Sequence, residues 1–232
     1  MISECEMNFH PFLAGMLLLM TTVVNAEAVR SQRMDIPASV QRVVIETSGD
    51  LEIRPGAAGR LTVEAEPRVL QKLDNAFQRD TLYLRSKDSF DTQHGIRYVL
   101  EIPRLRSLTA RGNGTAQIGA FQGDALELEL VGNGDATIEG VAFKHLALRI
   151  SGSGNIDISG RGETLDAAVN GVGNIRAENL VVAHAEATIT GVGDIYLQAT
   201  KQIKGEIVGS GHIRYKGRPE TPPIGTNSIE PL

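Results

Sequence analysis

A Gly-x-Gly motif recurs six times between residues 112 and 211, and this repeat leaves few folds open to the chain. Successive copies are separated by 20, 20, 19, 20 and 18 residues, counted between the first glycines Gly112, Gly132, Gly152, Gly171, Gly191 and Gly209. A nearly constant period of this length is typical of a solenoid, in which each repeat forms one coil that packs on the next.

Apolar and polar residues alternate on both sides of each motif. Two positions after the second glycine the chain has Ala116, Ala136, Ile156, Ile175, Ile195 and Ile213, and two positions before the next motif it has Leu130, Ile150, Val169, Ile189 and Ile207. A period of two is that of a strand with one buried face. We therefore predict an all-β fold, a right-handed parallel β-helix (β-solenoid) of about 20-residue coils.

The glycines of the motif are predicted to be structural residues of a sharp corner, where the backbone needs positive φ and coils approach closely. They are Gly112, Gly114, Gly132, Gly134, Gly152, Gly154, Gly171, Gly173, Gly191, Gly193, Gly209 and Gly211. The residue after each pair is Thr115, Asp135, Asn155, Asn174, Asp194 or His212. Asp and Asn favour turns, because their side chains bond to nearby backbone.

The repeat and its surroundings suggest one domain over residues 40–218. Residues 111–218 are its regular repeats, and residues 40–110 are an irregular N-terminal section of the same β-helix. We interpret residues 27–39 as a linker and residues 219–232 as a Pro-rich C-terminal tail.

The N-terminus has the pattern of an export signal. An apolar run at residues 12–24 is shorter than the roughly 20 residues that span a bilayer, and Val24-Asn25-Ala26 provides a cleavage site. We predict a signal peptide over residues 1–26, no integral membrane span after its removal, and a secreted protein of the periplasm or cell surface. The absence of Lys and Arg before the run leaves a membrane anchor or a buried hydrophobic arm as the alternative.

Charge and cysteine content exclude several function classes. The net charge of −5 argues against nucleic acid, which attracts basic surfaces. The only cysteine, Cys5, lies in the predicted signal, so the mature protein is expected to lack disulfides, thiol nucleophiles and Cys-based metal sites.

With these motifs in place, the chain resembles a bacterial envelope family, the autotransporter adhesin head or GIN domain, a domain of unknown function. The resemblance covers roughly residues 40–218 and depends on the export signal, SGDLEI at 48–53, IPRLRSLTARGNG at 102–114 and the glycine repeats. It implies a parallel β-helix on or near the cell surface, with a role in adhesion. The family brings no catalytic residues to carry over.

We predict no metal site and no cofactor. The corner column of Thr, Asp, Asn and His separates its two Asp residues by neutral Asn residues, whereas calcium needs several converging oxygens. The histidines His94, His145, His184 and His212 are interpreted as falling at unrelated repeat positions. Asp194 and His212 share one column in adjacent coils and are candidates for a pair.

The sequence does not predict an enzyme. Ser153 and Ser210 lie between motif glycines, so the repeat itself explains their Gly-Ser-Gly context. Outward acidic residues such as Glu127 and Asp166 alternate with Ala, Arg and Thr, as on an ordinary solvated face. A polysaccharide-active enzyme is the less favoured alternative.

One outward column is a candidate binding site. It reads Gln117, Thr137, Asp157, Arg176, Tyr196 and Arg214, so that stacking places Tyr196 between two arginines. Arg176, Tyr196 and Arg214 suit a sugar ring or an anionic polymer. The alternative is a stabilising ladder, with an Asp157–Arg176 ion pair and the tyrosine packed on arginine.

These observations predict an exported, non-catalytic envelope protein that presents a repetitive β-surface for binding or adhesion. Its partner is expected to be an envelope or host polysaccharide or protein. A self-assembling structural scaffold, formed by edge-to-edge pairing of coil ends, is the alternative. The oligomeric state does not follow from the sequence.

Overall fold

The computed structural model describes residues 29–225 and 228–232, so the predicted signal peptide at 1–26 lies outside the described residues. The described chain is a parallel β-solenoid, which confirms the predicted fold class. Its elements are β1 (Arg30–Ile36), β2 (Arg42–Ile45), β3 (Asp50–Pro55), β4 (Gly59–Ala65), α1 (Pro67–Leu70), β5 (Leu73–Gln78), β6 (Thr81–Ser86), β7 (Arg97–Ile102), β8 (Ser107–Ala110), β9 (Ala116–Ile118), β10 (Gln122–Leu130), β11 (Ala136–Ile150), β12 (Ile156–Val169), β13 (Ile175–Ile189), β14 (Ile195–Ile207), β15 (Ile213–Lys216), β16 (Ile224–Gly225) and β17 (Ile229–Pro231).

In the regular part of the solenoid, the two predicted strands of a coil are joined into one. Strands β11 to β14 each bend between successive glycine corners. We call the first of these bends, where the pairing register shifts, the second corner. In β11, Lys144 and His145 are both exposed, so the alternation of buried and exposed residues breaks again after it. Each pairs in parallel with the next at equivalent repeat positions, as in the column Ile156, Ile175, Ile195 and Ile213. These isoleucines are fully buried, so the predicted inward columns form the core.

Pairing is continuous through the stack, and we call the faces before and after the second corner the first and the second sheet. The first sheet contains β9, the strand halves after the glycine corner, β15 and β17. The second sheet contains β8, β10 and the halves after the second corner, ending at β16. Outward side chains of each sheet therefore form columns that cross the coils at about 4.8 Å intervals.

In the N-terminal section, the order of the coils in the stack differs from their order in the sequence. The coil formed by β2 and β3 lies against β8 and β9, and the later coil of β6 and β7 lies on its outer side. Three antiparallel pairings, β4 with β7, β1 with β4 and β5 with β6, then close this end of the stack. This is the section that the sequence predicted only as irregular.

The C-terminal segment continues the stack. Although residues 219–232 were predicted as a Pro-rich tail, β16 pairs with β14 and β17 pairs with β15. Ile229 lies beside Ile213 in register and packs partly buried against the core. No helix among the described residues is long and apolar enough to cross a membrane.

The close stacking of coils at the glycine corner requires residues that have no side chain. A Cβ added at Gly173 would lie far closer than 3 Å to the backbone carbonyl oxygen of Gly154 in the preceding coil. Gly173 also has φ +149°, which other residues rarely adopt. Backbone bridges between adjacent coils run directly through this corner, from Ser153 to Val172 and on to Val192.

Candidate functional site

The predicted column lies on the outer face of the first sheet. Parallel pairing places Asp157 beside Arg176, Arg176 beside Tyr196, and Tyr196 beside Arg214, with Glu230 next in the last coil. The structure thus brings the three predicted site residues together in three adjacent coils. The shortened 18-residue repeat between the last two motifs does not shift this register, because the missing residues come from the second corner.

Tyr196 and Arg214 form the centre of the site. The guanidinium carbon of Arg214 lies 5.6 Å from the centroid of the Tyr196 ring, within the range of a cation–π contact. Arg214 Nη1 also donates to the Tyr196 hydroxyl at 3.0 Å. These contacts hold the tyrosine ring and the guanidinium in one fixed arrangement on an open sheet face.

Asp194, at the glycine corner beside this pair, holds both side chains. Its Oδ2 accepts hydrogen bonds from the Tyr196 hydroxyl at 3.2 Å and from Arg214 Nη1 at 3.1 Å. Partial burial raises the pKa of Asp194, but hydrogen bonds from His212 and Tyr196 and the charge of Arg214 outweigh it, and the pKa lies below its ordinary value. Asp194 is therefore a carboxylate, which suits its role as an acceptor.

Arg176 makes the contact that the alternative of a stabilising ladder predicted. Its Nη1 lies 3.4 Å from Asp157 Oδ2, so this arginine pairs with the coil before it, and Arg214 provides the guanidinium packed on the Tyr196 ring. The Arg176 and Asp157 side chains are 43% and 46% exposed, and such a surface pair contributes about 0–1 kcal/mol. Breaking the Arg176–Asp157 pair would therefore cost little free energy.

The polar column at the glycine corner forms a hydrogen-bonded ladder. Side-chain oxygens of Asp135, Asn155 and Asn174 each accept the backbone N–H of the equivalent residue in the next coil, at 2.8, 3.2 and 2.9 Å. Asp194 continues the ladder to the N–H of His212 at 2.8 Å. The oxygens that a calcium ion would need are thus directed at backbone amides. Within the described part of the chain, no group of three or more His, Cys, Asp or Glu residues is arranged to hold a metal.

Two histidines were placed wrongly by the sequence interpretation. His145 pairs in register with Thr164, and Thr164 with His184, so these histidines share one column of the second sheet. The signal was present, because His145 and His184 each lie seven residues before a motif glycine. They are two coils apart, about 9.6 Å, too far to coordinate one ion, and His145 Nδ1 lies 2.9 Å from the Thr164 hydroxyl.

The sequence also missed the part that Asp194 plays in positioning the site. The sequence indicates Asp194 only as a turn former and as a partner for His212, and its Oδ1 does lie 3.3 Å from His212 Nδ1. The additional signal was the spacing of two between Asp194 and Tyr196, which directs both side chains to one side of an extended chain.

The fold and this exposed column define the class of the protein: a β-solenoid with its polar residues arrayed on open sheet faces. The chain belongs to the family described as "Putative auto-transporter adhesin, head GIN domain", whose model matches residues 40–219. The resemblance stated from the motifs is therefore confirmed. No curated protein matches the chain.

Solved structures show the same fold. A "putative adhesin" from Bacteroides fragilis NCTC 9343 is similar with a TM-score of 0.82 and 24% identity, over 89% of this chain and 98% of that chain. A "putative lipid binding protein" from Parabacteroides distasonis ATCC 8503 is similar with a TM-score of 0.65 and 20% identity, over 89% of this chain and 98% of that chain. A "putative adhesin" from Parabacteroides merdae ATCC 43184 is similar with a TM-score of 0.63 and 17% identity, over 89% of this chain and 97% of that chain. At these identities the likeness is one of fold.

Proposed function

We propose that the protein is a non-catalytic adhesion protein of the cell envelope, which binds an extended polysaccharide on the outer face of its first sheet. The observation that carries this proposal is the cluster of Tyr196, Arg214 and Asp194, a fixed aromatic ring and guanidinium on an open face. The membership of an adhesin-head family supports the same function.

The chemistry of the cluster fits a carbohydrate polymer. An aromatic ring offers an apolar face to a sugar ring, while a guanidinium donates paired hydrogen bonds to hydroxyl, carboxylate or sulfate oxygens. Asp194 holds Tyr196 and Arg214 in place before a ligand arrives, which reduces the entropy lost on binding. Because the column crosses coils at about 4.8 Å intervals, it suits a ligand that is long rather than compact.

The ion pairs made by the surface carboxylates favour a binding function over catalysis. On the second sheet, Arg149 lies between Glu127 and Asp166, at 3.5 and 3.0 Å. On the first sheet, Asp157 is paired with Arg176. A polysaccharide-cleaving enzyme needs a pair of carboxyl groups that flank the substrate and act on it directly. These three carboxylates instead have arginine partners on the protein itself.

Export to the periplasm or cell surface forms part of the proposal. It is supported by the apolar run at residues 12–24, by the cleavage site predicted after Ala26 and by the adhesin description of the family. Residues 29–225 and 228–232 contain no cysteine, so the described fold does not depend on the redox state of its compartment.

A binding assay with a matched control tests the proposal. The purified protein is applied to a panel of bacterial envelope and host polysaccharides, beside a triple variant, Arg176→Ala, Tyr196→Ala and Arg214→Ala. We expect saturable binding to at least one polysaccharide and a loss of tenfold or more in the triple variant.

The control is a double variant, Tyr83→Ala and Arg85→Ala. It removes the same kind of contact, since the Arg85 guanidinium lies 5.1 Å from the Tyr83 ring on β6. Wild-type affinity in this control is expected. Equal losses in both variants, or the absence of binding to every polysaccharide, would contradict the proposal.

A further inference from the structure

A second surface lies just after the second corner, away from the Tyr196 cluster. Two clefts of about 390 and 320 Å³ adjoin there and share Gly123 and Phe143 in their walls. Together they form one depression, which we call the basic groove and define by Arg104, Arg106, Gly123, Phe143, Lys144 and Arg161. The groove crosses successive coils and does not run along one of them.

Small residues create this depression. Gly123 pairs in register with Phe143, and a Cβ on Gly123 would lie only 3.0 Å from the Phe143 ring. On the other side, a Cβ on Gly162 would lie 3.0 Å from the Phe143 carbonyl oxygen. In the neighbouring outward column the small side chain of Ala142 separates Gln122 from Arg161. The floor is consequently low, and Phe143 itself is 4% exposed.

Arginines without carboxylate partners flank the groove. Arg104 and Arg106 are exposed on either side of Leu105, which is 2% exposed and fixes this segment to the core. Within the described chain, no carboxylate oxygen lies within 4.0 Å of the guanidinium nitrogens of Arg104, Arg106 or Arg161. By contrast, arginines such as Arg149 are paired with acids.

The acids in the groove do not cancel this charge. Lys144 Nζ lies 2.7 Å from Asp124 Oδ1, and the ammonium group, followed at longer range by Arg106, lowers the pKa of Asp124. Asp124 is thereby neutralised by a partner of its own, and Glu163 is the other acid in the walls. A local excess of positive charge on a chain whose net charge is −5 is suited to attract an anionic ligand.

We propose that the basic groove binds an acidic polysaccharide, a linear chain of sugars bearing carboxylate or sulfate groups, laid across the coils. Guanidinium groups bind such anions through paired, charge-assisted hydrogen bonds. The walls extend over about three coil spacings, roughly 15 Å, which suits a short run of a rigid polymer. A bilayer would need protruding apolar side chains, and single-stranded nucleic acid would need exposed rings for stacking, whereas Phe143 is buried.

The test compares acidic and neutral chains of equal length. Purified protein is titrated with polygalacturonate oligosaccharides, with dextran sulfate fragments and with neutral dextran. We expect at least one acidic chain to bind and neutral dextran not to bind. In the variant Arg104→Gln, Arg106→Gln we expect affinity for the acidic chain to fall tenfold or more, with a weaker dependence on salt.

Two controls separate this site from general charge and from the Tyr196 cluster. The variant Arg30→Gln, Arg33→Gln makes the same charge change on β1 at the edge of the first sheet and should retain wild-type affinity. The second control repeats the Arg104→Gln, Arg106→Gln substitution in a Tyr196→Ala, Arg214→Ala background, where the fall in affinity for the acidic chain should be as large as in the wild-type background. Equal losses in the Arg30 and Arg104 variants, no further loss when Arg104→Gln, Arg106→Gln is added to the Tyr196→Ala, Arg214→Ala background, or equal binding of neutral dextran would each overturn the proposal.

Discussion

At the scale of single residues, the glycine corner leaves no room for a side chain. Gly173 lies over Gly154, and Gly193 lies over Gly173, so that each backbone occupies the space where a side chain would begin. The columns of the repeat predicted this corner, because only glycine tolerates both the positive φ and the close approach. The sequence left the direction of Arg176 open between two alternatives, because Asp157 and Tyr196 are its neighbours at equal coil spacing, and the structure shows the ion pair with Asp157.

A single methyl group at this corner is expected to be costly. Gly173→Ala combines overpacking against the Gly154 carbonyl with an unfavourable φ, and should lower the free energy of unfolding by about 3 kcal/mol. Urea denaturation measures the change. Val172→Ala, at the neighbouring and 55% exposed position, is the control and should change stability by under about 0.5 kcal/mol. Similar effects of the two substitutions would show that the corner is not tightly stacked.

At the scale of elements, one buried carboxylate holds the loop between β6 and β7. Glu66 follows β4, its side chain is 1% exposed, and it accepts hydrogen bonds from the Thr92 hydroxyl at 2.5 Å and from the Gln93 N–H at 2.8 Å. The Thr92 hydrogen bond, together with those from Gln93 and His94, outweighs burial and lowers the pKa of Glu66 from 4.5 to about 2. No local pattern predicts this contact, because Glu66 is separated from its partners by 26 to 28 residues of sequence.

The lowered pKa of Glu66 gives a defined pH dependence. Its contribution to stability is complete above pH 4.5 and is lost as the pH falls towards 2, because the unfolded carboxyl takes up its proton first. Hydrogen-exchange protection of the Gln93 and His94 amides should therefore weaken between about pH 5 and pH 2. Glu66→Gln should show weaker protection that does not vary over this range. Equal protection of wild type at both pH values would contradict the assignment.

At the scale of the whole molecule, both ends of the stack are closed within the described chain. Antiparallel β1, β4 and β5 complete one end. The short strands β16 and β17 complete the other, and Pro231 removes a backbone donor from the last of them. Short strands and prolines at a sheet edge discourage pairing with another chain, which weakens the alternative of a self-assembling scaffold.

The repeat predicted the coils from 111 to 218 but not these ends, for a physical reason. The β6–β7 coil follows the β2–β3 coil in the sequence but packs on its outer side in the stack. Alternation of apolar and polar residues shows which face of a strand is buried, but it does not show with which strand it pairs. Likewise, residues 224–229 match the glycine repeat only in a degraded form, so the sequence favoured a Pro-rich tail over a coil, whereas Ile229 pairs in register with Ile213.

Opening the C-terminal end should cause association. Deletion of residues 219–232 removes β16 and β17 and leaves the edge of β15 and the Ile213 end of the core uncovered. We expect concentration-dependent oligomers in sedimentation velocity, and the same for Ile229→Asp. Ile224→Asp is the matched control, because Ile224 is 55% exposed, and it should remain like wild type. A deletion variant with unchanged sedimentation would show that these strands do not protect the end.

The central claim, that the first sheet binds an extended polysaccharide across its coils, is tested most directly by the dependence of affinity on ligand length. Size-fractionated oligosaccharides of the polysaccharide that binds the protein are titrated calorimetrically into wild type and into the Arg176→Ala, Tyr196→Ala, Arg214→Ala variant. We predict that affinity increases with length until the ligand spans the coils from Asp157 to Arg214, about 15 Å, and that the variant loses this increase. An affinity that is independent of length, or a length dependence that is the same in the variant, would contradict the claim.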